Sequence, residues 1–235
     1  MKSIILAAGR GSRIPEISQT KPKCLVKING KTILERQILL MKKNNIEEIA
    51  IIRGFKKNQI KFKKIKYFFN RNYKKNEQLD SLMTAKNFLK SDIIITFSDI
   101  IYDEQILSSL AKNKGEFVIS VDTNWKKRYI FRTDHPYSQA DKVFIKNGKV
   151  IEIGKKISLK KTNGEFLGML KLSKSFCKIF LKEYKFLRKK KSKMQIHSFI
   201  QHLIKKNVEV NVSYAKGKYM EIDTFNDFQI AKKIF

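Results

Sequence analysis

The sequence is poor in cysteine and in residues that interrupt regular structure. It has only two Cys, three Pro and ten Gly among 235 residues. Cys24 and Cys177 lie far apart and match neither a zinc-binding spacing nor a disulfide framework, which favours a reduced intracellular protein. Three prolines leave no room for a Pro-rich linker, and a hydrophobic content of 42% excludes a disordered chain. We therefore expect one packed domain that spans residues 1–235.

Long hydrophobic runs are also missing. The apolar stretch after Lys2 ends at Gly9, and no other run approaches the ~18 residues of a membrane span. We expect a cytoplasmic protein that has no membrane partner.

Acidic residues are scarce: 21 Asp+Glu stand against 51 Lys+Arg, so the formal net charge is +30. Such a charge is typical either of a surface for polyanions or of a general preference for lysine on every exposed face. The lysines are scattered along the whole chain, and the only dense run lies at 188–193. We favour the second interpretation and expect no nucleic-acid partner.

Strand and helix patterns alternate in the front half. Continuous apolar runs at 3–8, 49–52 and 93–97 predict strands that are buried on both faces. Thr32 and Glu35 form a capping box that opens a helix between the first two strands. Leu79, Leu82 or Met83, and Leu89 have helical spacing and predict a second helix before the third strand. This strand–helix–strand order predicts a parallel sheet with flanking helices.

The back half has a different pattern. Runs at 143–145 and 150–153 flank Asn147-Gly148, a strong hairpin signal, so we expect antiparallel pairing there. Further strands are predicted at 166–172 and 208–214, and helices at 175–187, 196–204 and 225–234. The fold class is therefore α/β, with a mainly parallel mixed central sheet.

Residues 123–141 form the one long predicted connection, and we expect it to be a lid. Its aromatic residues Trp125, Tyr129 and Phe131 suit either a cover over a cationic substrate or packing within the loop. His135 precedes Pro136, and we interpret it as a turn residue.

The most informative segment is Leu6-Ala7-Ala8-Gly9-Arg10-Gly11-Ser12-Arg13, which is followed by Lys21-Pro22-Lys23. A buried strand that runs into two glycines lets backbone N–H groups approach a phosphate, and Arg13 and Lys23 can neutralise a polyphosphate. Ile14 stands where the dinucleotide fingerprint needs a third glycine, and no Gly-Lys-Ser/Thr follows as in a P-loop. The pattern indicates a nucleotide site of a different kind.

These residues, together with Gly54, Asp99 and Glu221-Ile222-Asp223, resemble the ordered motifs of the sugar-phosphate nucleotidyltransferase superfamily. The resemblance implies a Rossmann-like, GT-A-like nucleotidyltransferase fold. The short chain and its closing segment 219–225 are similar to the small CTP-dependent branch, which includes phosphocholine and aminoalkylphosphonate cytidylyltransferases. The implied reaction transfers CMP from CTP to a small phosphorylated or phosphonylated acceptor, giving a CDP-linked product and pyrophosphate.

The resemblance also assigns roles to individual residues. Arg13 and Lys23 would hold phosphates as catalytic residues, and Asp99 and Asp223 would bind Mg²⁺. The acceptor would contact Lys155, Glu165 and Glu221, of which Glu165 suits an ammonium group. The nucleotide would contact Leu6, Ala7, Ala8, Gly9, Gly11, Ser12, Gly54 and Ser81.

Two other functions stay open at this point. One is a hexose-1-phosphate nucleotidyltransferase that uses UTP or GTP, against which the short chain argues. The other is a nucleic-acid-binding protein that kept the fold and lost catalysis, against which the intact set of Arg13, Lys23, Asp99 and Asp223 argues.

Overall fold

A nine-stranded mixed sheet forms the centre of the structure, a computed structural model that describes residues 1–11, 14, 20–190 and 193–235. The strands of the described part are β1 (Lys2–Ala7), β2 (Lys27–Ile28), β3 (Lys31–Thr32), β4 (Glu48–Arg53), β5 (Lys66–Phe69), β6 (Ile93–Phe97), β7 (Ile100–Tyr102), β8 (Phe117–Asp122), β9 (Lys142–Lys146), β10 (Lys149–Ile153), β11 (Gly164–Leu172), β12 (Asn211–Tyr214) and β13 (Tyr219–Glu221). The α-helices there are α1 (Ile33–Lys43), α2 (Gln78–Leu82), α3 (Glu104–Lys112), α4 (Trp125–Tyr129), α5 (Lys174–Arg188), α6 (Ile196–Lys205) and α7 (Phe225–Ile234). Short 3-10 helices lie at Lys23–Leu25, Lys57–Gln59, Met83–Phe88 and Tyr137–Gln139.

The strand order of the central sheet is β5-β4-β1-β6-β11-β8-β12-β10-β9. In the front half, β4 and β6 flank β1 and both run parallel to it, and β5 runs parallel to β4. The α/β fold with a parallel front half, predicted from the apolar runs, is thus confirmed.

The back half is largely antiparallel, because β11 pairs antiparallel with β6, β8 and β9. Strand β12 departs from this expectation and runs parallel to β8. The connection from β11 to β12 contains the two helices α5 and α6, so the chain direction there is not restricted by a hairpin.

Apolar residues fill both faces of the sheet, as its continuous hydrophobic strands require. In β1, Ile4 and Leu6 pack into one core with residues of α5 and α6, whereas Ile5 and Ala7 pack into a second core with residues of α1 and α3. After Lys2, neither face of β1 meets water, which explains why its sequence shows no alternation.

Local signals in the sequence match the local structure. Thr32 and Glu35 make both hydrogen bonds of the predicted capping box at the start of α1. Asn147 and Gly148 have φ values of 50° and 71° in the turn between β9 and β10, as a tight two-residue hairpin needs. One prediction differs, because the helix expected through Leu89 ends at Leu82 and continues as a 3-10 turn.

The segment 123–141 is packed rather than irregular. The rings of Trp125, Tyr129 and Tyr137 lie 5.0–5.5 Å from one another, and Trp125 is only 1% exposed. Phe131 is 68% exposed. Of the two roles left open for these aromatics, Trp125 and Tyr129 thus have the second, packing within the segment itself. Closure of the segment as a lid stays a prediction.

Within the described ranges, no helix combines the length and apolarity needed to cross a bilayer.

Gly168 lies at an irregularity of β11, where the register against β8 shifts between Phe166 and Leu170. Its φ is +69°, and a Cβ atom added there would lie 2.6 Å from the ring of Phe97. Gly148 has a similar φ of +71° but open space around its Cα atom.

We expect Gly148→Ala to lower the free energy of unfolding by about 1 kcal/mol, because only backbone strain is introduced. Gly168→Ala should lower it by about 1–3 kcal/mol more, because the methyl group also overpacks the core. Equilibrium unfolding in urea measures both values. Equal losses for the two variants would contradict the close packing at Gly168.

Candidate active site

The candidate site lies where β1 and β6 end side by side. The two strands are parallel, with Leu6 opposite Phe97, so the Gly9–Gly11 loop and the Ser98-Asp99 turn leave the sheet at the same edge. Gln37 of α1 supports this turn, because its side-chain amide donates to the carbonyl groups of Phe97 and Ile100 at 2.9 and 2.7 Å. Ligands of open α/β sheets bind at this kind of edge.

A cavity of about 160 Å³ opens beside the glycines, and we call it the glycine-loop cavity. It is lined by the predicted site residues Leu6, Ala7, Gly9, Gly11, Lys23 and Asp99, and also by Cys24, Gln78, Phe97 and Ser98. Gly11 has a φ of +71°, and a Cβ atom added there would lie 2.7 Å from Cβ of Lys23. Only glycine therefore lets the loop backbone approach the stem of Lys23 so closely.

Lys23 is 7% exposed and lies between two carboxylates. Its Nζ is 2.9 Å from Oδ2 of Asp99 and 2.7 Å from Oδ1 of Asp223. Burial alone would lower the pKa of the Lys23 ammonium, but the charges of Asp99 and Asp223 raise it above its usual value. The ammonium is thus held in its charged form.

A small two-stranded sheet brings these distant carboxylates together. Strand β13 pairs antiparallel with β7, with Glu221 opposite Ile100, and the N–H of Ile222 donates to the carbonyl of Asp99 at 2.8 Å. Asp99 and Asp223, which the sequence placed in one metal site, therefore lie on the same ammonium. The distance between their oxygens cannot exceed the sum of the two ion-pair distances.

A second cavity of about 80 Å³ adjoins the first, and we call it the carboxylate cavity. The predicted site residues Lys155, Glu165, Glu221 and Asp223 all line it. Gln78 and Phe97 line both cavities, so the two are neighbours. The Lys23–Asp223 ion pair joins a residue of one cavity to a residue of the other.

The acidic groups in this region fit a divalent cation. The ligand atoms of His135, Glu221 and Asp223 lie within 4.8 Å of one another. Burial, followed by the charges of Asp223 and Asp99, raises the pKa of Glu221 well above its usual value. Carboxyl groups thus outnumber the nearby Lys23 cation, and a hard cation with oxygen ligands such as Mg²⁺ would relieve their repulsion.

A buried ion pair fixes the position of Asp223. Arg132 donates from Nε and Nη2 to the two carboxylate oxygens of Asp227 at 2.6 and 3.1 Å. Asp227 also accepts from the N–H groups of Asp223 and Thr224 at the start of α7. Nη2 of Arg132 lies 3.1 Å from Nδ1 of His135, and since a guanidinium only donates, Nδ1 accepts.

Glu165 is held by partners from the 123–141 segment. Its carboxylate accepts from the hydroxyl of Tyr129 at 2.5 Å and from Nη2 of Arg128 at 2.6 Å. Burial raises the pKa of Glu165, and these two donors oppose that shift. Each oxygen of the Glu165 carboxylate therefore already accepts a hydrogen bond from this segment.

Three predicted site residues of the described part of the chain, Ala8, Gly54 and Ser81, do not line either cavity. Ala8 and Gly54 contact each other, since a Cβ added at Gly54 would lie 2.4 Å from the Ala8 carbonyl oxygen. Ser81 accepts from Asn70 at 2.8 Å and is buried. Ser12 and Arg13 lie outside the described residues.

Sequence reasoning missed several residues that line the cavities, namely Gln78, Phe97, Gln139, Asp141 and Tyr219. No spacing in the sequence marks them. His135 was interpreted as a turn residue, yet it lines the carboxylate cavity and is 3% exposed. The only available signal was its position inside the long 123–141 segment.

Comparisons with known proteins identify the family and the fold. Residues 3–142 match the family of MobA-like NTP transferase domains. A CTP:phosphoglutamine cytidylyltransferase of Campylobacter jejuni is 31% identical over 98% of this chain and 98% of its own length. A choline-phosphate cytidylyltransferase of Streptococcus pneumoniae is 33% identical over 48% of this chain and 51% of its own. The solved inositol-1-phosphate CTP transferase of T. maritima shares the fold, with a TM-score of 0.78, 16% identity and coverage of 99% and 95% of the two chains.

The Arg132–Asp227 pair provides a test of how the site is held together. The two side chains are 1% and 0% exposed. We expect Arg132→Met to lower the free energy of unfolding by about 3–5 kcal/mol, because it leaves a buried carboxylate without its partner. Lys149→Met, which breaks the exposed Lys149–Glu209 pair, should change it little. Equal effects in urea unfolding would show that Arg132 is not a structural anchor.

Proposed function

The chain belongs to the family of MobA-like NTP transferase domains, and we propose that it transfers CMP from CTP to a small phosphorylated or phosphonylated acceptor. The family resemblance carried by segment 6–13 and by Asp99 and Asp223 is confirmed by these matches. The α/β nucleotidyltransferase fold is confirmed as well.

One observation carries the proposal: two adjoining cavities meet at the Lys23 ion pairs. The glycine-loop cavity suits a nucleoside triphosphate for two reasons. The backbone of Gly9 and Gly11 lines the cavity, and Lys23 supplies a positive charge. The carboxylate cavity, of about 80 Å³, suits a small acceptor. In this arrangement the acceptor phosphate meets the α-phosphate at the boundary of the two cavities.

The reaction needs no protein nucleophile. An oxygen of the acceptor phosphate attacks the α-phosphorus of CTP in line, and a new P–O bond forms. The bond from the α-phosphorus to the bridging oxygen breaks, and pyrophosphate leaves with that electron pair. Catalysis therefore consists of positioning the reactants and stabilising the developing charge.

Lys23 contributes a positive charge where the two cavities meet. Asp99 and Asp223 orient its ammonium at 2.9 and 2.7 Å, so the charge is placed before the substrates arrive. Asp99 and Asp223 would also hold Mg²⁺, with Glu221 beside them. When bound, the ion would neutralise phosphate oxygens of both reactants.

We expect pyrophosphate release with CTP and one or more small phosphates or phosphonates. The panel contains CTP, UTP, GTP and ATP, each with choline phosphate, aminoethylphosphonate, phosphorylated amino acids or amides, and a hexose 1-phosphate. CTP should be preferred by at least about tenfold, a ratio that a few base contacts supply. Release with UTP or GTP and the hexose phosphate would instead support the sugar-nucleotide alternative.

The metal assignment is tested at the two aspartates. We expect Asp99→Asn and Asp223→Asn each to reduce turnover by about 100-fold or more, because charge at the reacting centre is lost. The double variant should be little worse than either single variant, since the two residues act as one unit.

Asp134→Asn is the matched control, because Asp134 is exposed and carries the same charge. Its turnover should stay near that of the unaltered protein. A chelator should abolish turnover and Mg²⁺ should restore it. Full turnover in excess chelator would overturn the metal assignment without touching the transfer reaction itself.

A further inference from the structure

We propose that Arg128 determines which acceptors this chain accepts: its guanidinium occupies the place at Glu165 and Tyr219 where a cationic head group would bind. The acceptor's end remote from its phosphate is then an uncharged polar group rather than a quaternary ammonium. This inference rests on the proposed function and deepens it.

Two groups that line the carboxylate cavity would suit a cationic head group. Glu165 is an anion, and Tyr219 has an aromatic face, the pair of features that recognises quaternary ammonium ions. The charge of Glu165 is the feature for which it was predicted to contact an acceptor ammonium group.

Arg128 already uses both features. Its Nη2 donates to Oε2 of Glu165 at 2.6 Å, and its Nε donates to Asp122 at 2.8 Å. Its guanidinium carbon lies 4.7 Å from the centre of the Tyr219 ring. The hydroxyl of Tyr129 takes the other oxygen of Glu165 at 2.5 Å. An internal cation thus already uses the charge of Glu165 and the ring face of Tyr219 that an external cation would need.

Two of the other three carboxyl groups that line this cavity have basic neighbours too. Oδ1 of Asp141 lies 3.0 Å from Nδ1 of His197, and Oδ1 of Asp223 lies 2.7 Å from Nζ of Lys23. Lys155 adds a further positive charge to the lining. The amide of Gln78, which also lines this cavity, offers donors and an acceptor to an uncharged polar group.

The test compares two phosphates that differ only in charge: choline phosphate and its carbon isostere, 3,3-dimethylbutyl phosphate. We expect the unaltered protein to bind and use both equally within about threefold. Arg128→Met frees Glu165 and Tyr219, so it should favour choline phosphate over the isostere by about tenfold or more. Binding is measured by titration calorimetry, and turnover by pyrophosphate release with CTP.

Two further variants serve as controls. Arg128→Lys keeps a cation beside Glu165 and should show no preference for choline phosphate. Arg128→Met combined with Glu165→Gln removes the anion and should lose the preference that Arg128→Met gained. The combined variant also has no unpaired carboxylate at position 165. It should therefore fold even if the unpaired Glu165 destabilises Arg128→Met.

Stability supplies a readout that needs no turnover. Tetramethylammonium chloride should raise the melting temperature of Arg128→Met relative to equal NaCl, and should not do so for the unaltered protein. This rescue applies even if Arg128→Met is destabilised, because the ion replaces the missing guanidinium.

The outcomes separate the two proposals. A preference of the unaltered protein for choline phosphate of tenfold or more, or no gain of preference and no rescue in Arg128→Met, overturns the role of Arg128 and leaves the transfer reaction intact. Absence of pyrophosphate release with every acceptor of the wider panel overturns the proposed function. Calorimetric binding of choline phosphate and the melting temperature in tetramethylammonium chloride then still test whether Arg128 excludes a cationic head group.

Discussion

The contact between one buried ammonium and two carboxylates organises this molecule. Lys23 reaches Asp99 and Asp223 at 2.9 and 2.7 Å, and each of the three comes from a different part of the chain. The closely packed Gly11, the β7–β13 pairing and the Arg132–Asp227 pair all serve to place one of these groups. A buried charge is stable only when it is paired. The Lys23 ion pairs therefore join distant parts of the chain and also place a positive charge where the two phosphates would meet.

Paired charge is a general property of the site. Although the protein carries a net charge of +30, the groups that line the carboxylate cavity include Asp141, Glu165, Glu221 and Asp223. Arg128 and Lys23 lie against two of these carboxylates, and Glu221 has its pKa raised by burial. The excess of lysine on the outside therefore says little about the chemistry inside. A substrate in this cavity would meet a few buried ion pairs. We propose that an acceptor substituent binds only where it does not have to replace a cation that already neutralises a carboxylate.

Features with a local cause were predictable. The apolar run of β1, the Thr32–Glu35 capping box and the Asn147-Gly148 turn each follow from interactions between residues close in the chain. The parallel pairing of β12 with β8 did not follow, since two helices separate β12 from β11. The break after Leu82 was missed because Leu79, Leu82 and Phe88 are buried in either kind of helix. The spacing of apolar residues indicates which residues are buried, but it does not distinguish the hydrogen bonds of an α-helix from those of a 3-10 helix.

The sequence by itself determined the family, the α/β fold and the identity of the residues at the ends of β1 and β6, because motif residues at strand ends keep their position in any parallel sheet. Tertiary structure alone decided the partners: Arg132 with Asp227, His135 beside Arg132, and Arg128 on Glu165 and Tyr219. These contacts join residues that lie 3 to 95 positions apart in the chain. No periodicity or spacing in the sequence predicts which lysine or arginine pairs with which carboxylate. Long-range pairing depends on how the whole chain packs, and the choice of acceptor depends on that pairing.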